Sequence, residues 1–198
     1  MIFQDNKPLK GLVLAGGKST RMQEDKGRMN WHGKEQRYYL ADMLRQFCEE
    51  VFISCRKEQV TGISDEYKII TDRYDLGPLG AIVTALENDT ACAWLMVACD
   101  LPLLDASTIR YLIENRKPDV IATTYQSPFD GLPEPLVTIW EAASLPVFRN
   151  YISEQKRCPR KILLNNTIHL VQPDNPIVLL NANTPADARK VMEILSSV

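Results

Sequence analysis

Short apolar or β-branched runs recur along the first 124 residues, and they constrain the fold more than any other feature of the chain. Residues 12–14, 51–55, 67–71, 93–98 and 119–124 have the length and composition of buried strands. Helical patterns lie between most of them. Over 35–49 the apolar residues Tyr39, Leu40, Met43, Leu44 and Phe47 recur at helical spacing. The turn 76–80 enters a second helix that runs to Asn88, and 106–115 forms a third with Asp105 as its cap. Strands that alternate with helices predict βαβ units. The expected fold is therefore α/β with three αβα layers, a Rossmann-like, mainly parallel sheet with helices on both faces. Such sheets bind ligands beyond the carboxyl ends of their strands. Gly16, Asp72 and Asp100 follow the first, third and fourth runs and are the candidates for that position.

Downstream the rhythm loosens. Residues 125–132 read as a turn-rich loop, and Pro133-Glu134-Pro135-Leu136 leads into a strand at 137–140. Helices are expected at 145–154 and 160–164, and strands at 169–171 and 178–180. Thr184 caps a last helix, with Pro185 at its first position and Asp187 near its positive end. A chain of 198 residues is expected to form one domain, 1–198. A net charge of −2 argues against nucleic acid as the main partner. Met1-Ile2-Phe3-Gln4-Asp5 lacks a basic region before an apolar core, and the longest apolar stretch, 91–99, falls far short of a membrane span. Five cysteines without a Cys-x-x-Cys pair suit reduced, mostly buried thiols. A cytoplasmic protein without membrane contact is expected. His32 and His169 lack ligand spacing and read as structural.

The first run ends in Leu14-Ala15-Gly16-Gly17, followed by Ser19 and Thr20 and by the cations Lys18, Arg21 and Lys26. Two glycines let the backbone approach a ligand closely, and their N–H groups with nearby cations suit a polyphosphate. An ordinary strand-to-loop turn before a solvated basic loop would use the same residues. A P-loop is excluded, because the position five before Gly17 is Leu12, inside the strand. A dinucleotide fingerprint is excluded, because no Gly-x-Gly-x-x-Gly spacing opens a helix here. Asp100 follows the most apolar strand, and Pro102 turns the chain after it. A carboxylate there suits Mg²⁺, which takes one or two protein carboxylates beside nucleotide phosphates. A helix cap or turn residue is the plainer alternative.

The run Leu14-Ala15-Gly16-Gly17-Lys18-Ser19-Thr20-Arg21-Met22-Gln23-Glu24-Asp25-Lys26 resembles the signature Leu-Ala-Gly-Gly-x-Ser-x-Arg-Met-Gly-x-Asp-Lys. That signature belongs to the molybdenum cofactor guanylyltransferase family, within the nucleotide-diphospho-sugar transferase-like superfamily. Gln23 stands where the family has glycine. Ala98-Cys99-Asp100-Leu101-Pro102 is similar to its Cys-Asp-x-Pro metal motif. Asn181-Ala182-Asn183-Thr184-Pro185 is similar to its Asn-x-Asn-Thr-Pro motif, and Pro133-Glu134-Pro135-Leu136 to a further one.

The resemblance implies transfer of GMP from GTP to the molybdopterin cofactor, with Mg²⁺ as metal. It implies Asp100 as metal ligand, Arg21 and Lys26 as phosphate-binding cations, and Leu14, Ala15, Gly16 and Gly17 as backbone contacts to the nucleotide. Asp72 would contact the nucleoside beside the turn formed by Gly77 and Pro78. Ser54 stands where the guanylyltransferases carry an asparagine that contacts the nucleotide. Glu134, Pro135, Asn181 and Asn183 would serve the acceptor, and proteins that deliver the cofactor or receive the product would be partners. Transfer of CMP to the same cofactor, transfer of a nucleotide to a sugar phosphate, and a nucleotide-binding regulatory module without catalysis remain alternatives.

Overall fold

The computed structural model describes residues 8–17 and 25–197. Seven strands form one sheet: β1 (Leu9–Leu14), β2 (Val51–Cys55), β3 (Lys68–Thr71), β4 (Ala93–Ala98), β5 (Ala122–Gln126), β6 (Pro133–Trp140) and β7 (His169–Val171). Their order is β3-β2-β1-β4-β6-β5-β7. All pairings are parallel except those of β6, which runs antiparallel to both β4 and β5.

Six α-helices are described: α1 (Gln36–Leu44), α2 (Pro78–Asn88), α3 (Ala106–Glu114), α4 (Leu145–Ser153), α5 (Pro159–Leu164) and α6 (Pro185–Ser196). They cover both faces of the sheet. One core joins Val13, Ile53, Leu95 and Val97 to Leu40 and Leu44 of α1 and to Ile109 and Leu112 of α3. The other joins Leu12, Trp94 and Met96 to Ile82 and Leu86 of α2, Phe148 of α4 and Ile162 of α5. β4 feeds both cores with alternate residues. A strand buried on both faces has no polar side, which is why 93–98 is the most apolar run of the chain. Each of its large side chains contributes about 1.5–3 kcal/mol of burial. The doubly wound α/β architecture is the one expected, and no helix among the described residues is long and apolar enough to cross a membrane.

Several boundaries differ from expectation, each for a local reason. α1 stops at Leu44 instead of residue 49. Phe47 and Cys48 N–H both turn back to the Leu44 carbonyl (3.0 Å each), and Glu49 N–H already reaches the Leu9 carbonyl (3.0 Å). Phe47 keeps helical spacing because it still packs on the core. β5 starts three residues late, since Lys117 N–H bonds Thr123 Oγ1 (3.0 Å) and holds 117–121 in a turn. Residues 178–180 are not a strand. Pro176–Leu179 form a 3₁₀ turn capped by Asn175, and Val178 and Leu179 face the core, a run too short for periodicity to tell the two apart. The polar stretch after β2 contains a 3₁₀ helix, Lys57–Gly62.

β6 departs most. It includes Pro133 and Pro135, although proline cannot donate to a ladder. The strand tolerates them because its pairing with β4 begins only at Val137, and its register with β5 breaks between Thr124 and Gln126. Thr124 and Thr138 hydroxyls donate to the Glu134 carbonyl (2.6 and 2.7 Å), where the ladder with β5 is broken. The resulting bulge lies beside the carboxyl end of β4.

Candidate active site

Chain order sets the position of the site. β1, β2 and β3 succeed one another outward, and the chain then returns to lay β4 on the other side of β1. The loops after β1 and β4 therefore diverge, and a crevice opens between them. A cavity of about 510 Å³ occupies this end of the sheet. Leu14 at the end of β1 and Ala15, Gly16 and Gly17 just after it line it. Ser54 lines it from β2, Asp72 and Gly77 from the loop between β3 and α2, and Pro78 from the start of α2. Lys26 and Asp100 line it from the charged end. These ten expected residues are thus brought together.

The glycine pair is not required by packing. A Cβ at Gly17 would meet nothing within 4 Å among the described residues, and one at Gly16 only ordinary contacts at 3.7 Å. Bare backbone there serves close approach from the cavity side. Gly77 is different. It caps α2 at φ +61°, ψ −144°, a region that side chains other than glycine's strongly resist. Gly80, in the first turn of α2, lets Asp72 close in: a Cβ there would lie 2.8 Å from Asp72 Oδ1. That oxygen also accepts from Tyr74 N–H (2.9 Å). The Asp72 carboxylate is thereby held at the positive end of α2, where a negative charge is favoured.

At the charged end, Asp25 starts a 3₁₀ turn, Lys26–Arg28, by accepting from Gly27 N–H (2.9 Å). Its other oxygen accepts from Gln59 (3.0 Å). Lys26 Nζ then lies 3.9 Å from Asp100 Oδ2 and donates to Asn183 Oδ1 (2.5 Å). Asp100 is fixed from both sides. Its carbonyl accepts from Ala182 N–H (2.8 Å). The turn after it is held by Gln36, which donates to the Leu101 carbonyl (3.3 Å), and by His32 Nε2, which donates to the Pro102 carbonyl (2.8 Å). His32 thus has the structural role expected. The second carboxylate oxygen, Asp100 Oδ1, is buried and has no partner among the described residues. Burial pushes the Asp100 carboxyl above its ordinary range, and the Lys26 charge opposes this. No group of three His, Cys, Asp or Glu side chains is gathered among the described residues. One carboxylate with an unused oxygen suits a hard cation that takes its remaining ligands from substrate phosphate and water. It does not suit a zinc-type cage.

The remaining expected residues fall elsewhere. Arg21 lies outside the described residues. Asn183 reaches the site through Lys26 and does not line the cavity. Asn181 and Pro135 are not among the lining residues either. Glu134 turns inward, 3% exposed, where its carboxylate accepts from Leu136 N–H (3.3 Å) and from Arg160 (3.4 Å). Burial holds its carboxyl above the usual range against those two contacts. Leu136, presented by the bulge, takes the place at the cavity wall.

Sequence reasoning missed Arg56, Asp75 and Arg157 as lining residues. Arg56 had a signal, since it lies two residues beyond Ser54 and extended backbone puts such pairs on one side. Arg157 had none, because it arrives from the connection between α4 and α5. All five cysteines are free, as expected, and Cys55, Cys92 and Cys99 are buried.

Comparison with known proteins gives the family and the fold. The sequence profile of the MobA-like NTP transferase domain matches residues 11–170. A molybdenum cofactor biosynthesis bifunctional protein from Synechocystis sp. is 36% identical over 182 residues, covering 91% of this chain and 52% of that protein. The chain spans about half the length of this relative. A molybdenum cofactor guanylyltransferase from Pseudomonas fluorescens is 31% identical over 200 residues, covering 96% of this chain and 93% of that one. The crystal structure of molybdopterin-guanine dinucleotide biosynthesis protein A from Archaeoglobus fulgidus superposes with a TM-score of 0.80 at 22% identity, covering 96% of this chain and all of the other. The last likeness establishes the shared fold.

Proposed function

Because the chain belongs to the MobA-like NTP transferase domain family, we propose that it transfers GMP from GTP to the molybdopterin cofactor. The products are the guanine dinucleotide form of the cofactor and pyrophosphate. A terminal phosphate oxygen of the pterin forms a bond to the α-phosphorus of GTP. The bond from that phosphorus to the oxygen bridging to the β-phosphate breaks, and pyrophosphate leaves with the electron pair. The attacking oxygen is already anionic, so no general base is needed. The rate then depends on positioning and on stabilising charge that spreads over the phosphate oxygens.

The observation that carries the reading is the pair Lys26 and Asp100, 3.9 Å apart, with Asp100 Oδ1 unpartnered at the cavity. Asp100 would hold Mg²⁺, which when bound supplies Lewis-acid stabilisation of phosphate charge. Lys26 offsets the charge of the triphosphate, and Asn183 orients its ammonium. Arg21 is assigned the same task as Lys26 on its place in the motif. Bare backbone at 14–17 lies along the nucleotide. Asp72, fixed against α2, faces the nucleoside, with Gly77 and Pro78 shaping that wall. Glu134 and Pro135 act on the acceptor side through the bulge that presents Leu136, and Asn181 and Asn183 through the segment tied to Asp100.

The test is pyrophosphate release by purified protein with molybdenum cofactor and Mg²⁺, with GTP, CTP, ATP and UTP in parallel. Cofactor-dependent release with GTP alone is expected. Release with CTP alone would retain the mechanism and overturn the base assignment. Nucleotide binding without release under any condition would favour a regulatory module.

A further inference from the structure

We infer that Arg56 reads the base of the bound nucleotide by donating to two adjacent acceptors, which in guanine are O6 and N7. The inference rests on the GTP reading above and deepens it. Ser54 and Arg56 are two residues apart at the end of β2, and Arg56 keeps extended backbone (φ −77°, ψ 158°). Extended residues at i and i+2 face one side, and both line the cavity. The Arg56 stem backs the glycine loop, with its Cγ 3.7 Å from where a Gly16 Cβ would stand. Its Nε is buried without a partner among the described residues, as is Ser54 Oγ. Two buried polar atoms without a protein partner, on residues that line one cavity, call for a partner that a bound ligand or water supplies.

Sheet order says which part of the ligand meets that wall. β2 and β3 lie on one side of β1, and β4 with Asp100 lies on the other. The reacting phosphates belong with Lys26 and Asp100, so the β2 wall receives the opposite end of the nucleotide, the base. Charge supports the same division. Arg56 Nη1 is paired with Glu58 at 2.7 Å, which offsets its cation locally. What remains for a ligand is chiefly the directional N–H donors of a planar fork. A guanidinium has donors only, so it suits the O6 and N7 acceptors of guanine. Adenine places an amino donor where guanine has O6, and cytosine carries an amino group likewise; both oppose a second set of donors.

The experiment measures nucleotide binding without the pterin acceptor, in Mg²⁺, by titration calorimetry. GTP, 7-deaza-GTP, ATP and CTP are titrated into the wild-type protein and into Arg56→Ala and Arg56→Lys. The wild-type protein is expected to bind 7-deaza-GTP about tenfold more weakly than GTP. Arg56→Ala is expected to bind GTP about tenfold more weakly, to lose nothing further with 7-deaza-GTP, and to leave ATP affinity unchanged. Arg56→Lys, which keeps the charge without the fork, should behave like Arg56→Ala. An equal loss for all nucleotides in Arg56→Ala would make Arg56 a phosphate contact and overturn the inference. Unchanged affinities would overturn it too. The comparison of GTP with 7-deaza-GTP on the wild-type protein needs no variant, so a folding defect cannot mask the answer. A wild-type protein that prefers CTP overturns the base assignment and this inference together. A preference for GTP that Arg56→Ala leaves undiminished overturns this inference alone.

Discussion

Lys26 Nζ lies 3.9 Å from Asp100 Oδ2 while donating to Asn183, so the cation leans on the carboxylate without consuming it. The second oxygen, Oδ1, stays buried and unpartnered. A buried carboxylate oxygen without a partner is unfavourable to the fold and favourable to an incoming cation.

Asp100→Asn is therefore expected to lower kcat by about 10³-fold or more, since Lewis-acid stabilisation is worth several kcal/mol. Stability should hold or rise, because an uncharged amide replaces a carboxyl that burial already pushes upward. Urea denaturation beside a turnover assay checks both. Full activity of the variant would sink the metal assignment.

Lys26→Met should reduce kcat/KM by about 10²–10³-fold, the scale for removing one fixed donor to developing charge. Asn183→Ala frees the ammonium from its oriented hydrogen bond, and its effect should be smaller, about tenfold. Steady-state kinetics on the two variants would contradict the arrangement if the order were reversed.

Gly80→Ala is expected to displace Asp72, because the new Cβ would lie 2.8 Å from Asp72 Oδ1. The overpacking should destabilise by about 1–3 kcal/mol. KM for the nucleotide should rise as well, since Asp72 lines the cavity. Gly77→Ala should destabilise by a similar amount through strain at φ +61°. Denaturant midpoints with nucleotide titrations separate the two effects.

The capping box of α6 gives a pH-dependent prediction. Thr184 accepts from Asp187 N–H (3.2 Å), and Asp187 accepts from the Thr184 hydroxyl (2.9 Å) and N–H (2.8 Å). The Thr184 contact holds the Asp187 carboxyl below its ordinary range. A folded carboxyl that ionises more readily than the unfolded one adds stability above the unfolded value, about pH 3.9, and loses it as pH falls through the folded value. Asp187→Asn should thus be less stable than the wild type at pH 7, with the gap closing toward pH 2. Thr184→Ala should cost about 1 kcal/mol at neutral pH. Urea midpoints at the two pH values test the sign, and a gap that widened in acid would contradict it.

Much of this was legible in the chain. The β4 run kept its predicted limits because burial on both faces writes an unbroken apolar signal. Asp105, Thr184 and Gly77 announced their helix starts because capping is local chemistry between residues within one turn. The helix expected to continue to residue 49 ended at Leu44, because the limit is set by a contact between Glu49 and Leu9, forty residues away by chain. The prolines of β6 read as the lead-in to a strand at 137–140 and not as part of it, because a broken register with β5 is a property of two strands and not of either sequence.

By itself, then, the sequence determined the order of elements, the bare loop after β1 and the acid after β4, since each depends on neighbours within a few residues. The tertiary structure alone decided which side chains face one another. It turned Glu134 inward onto Leu136 and Arg160. It joined Asn183 to Lys26 across the fold and brought Arg56 and Arg157 to the cavity that the glycine loop lines. Those relations follow from strand order and register, which sum contacts over the whole sheet, and no local pattern of residues carries that sum.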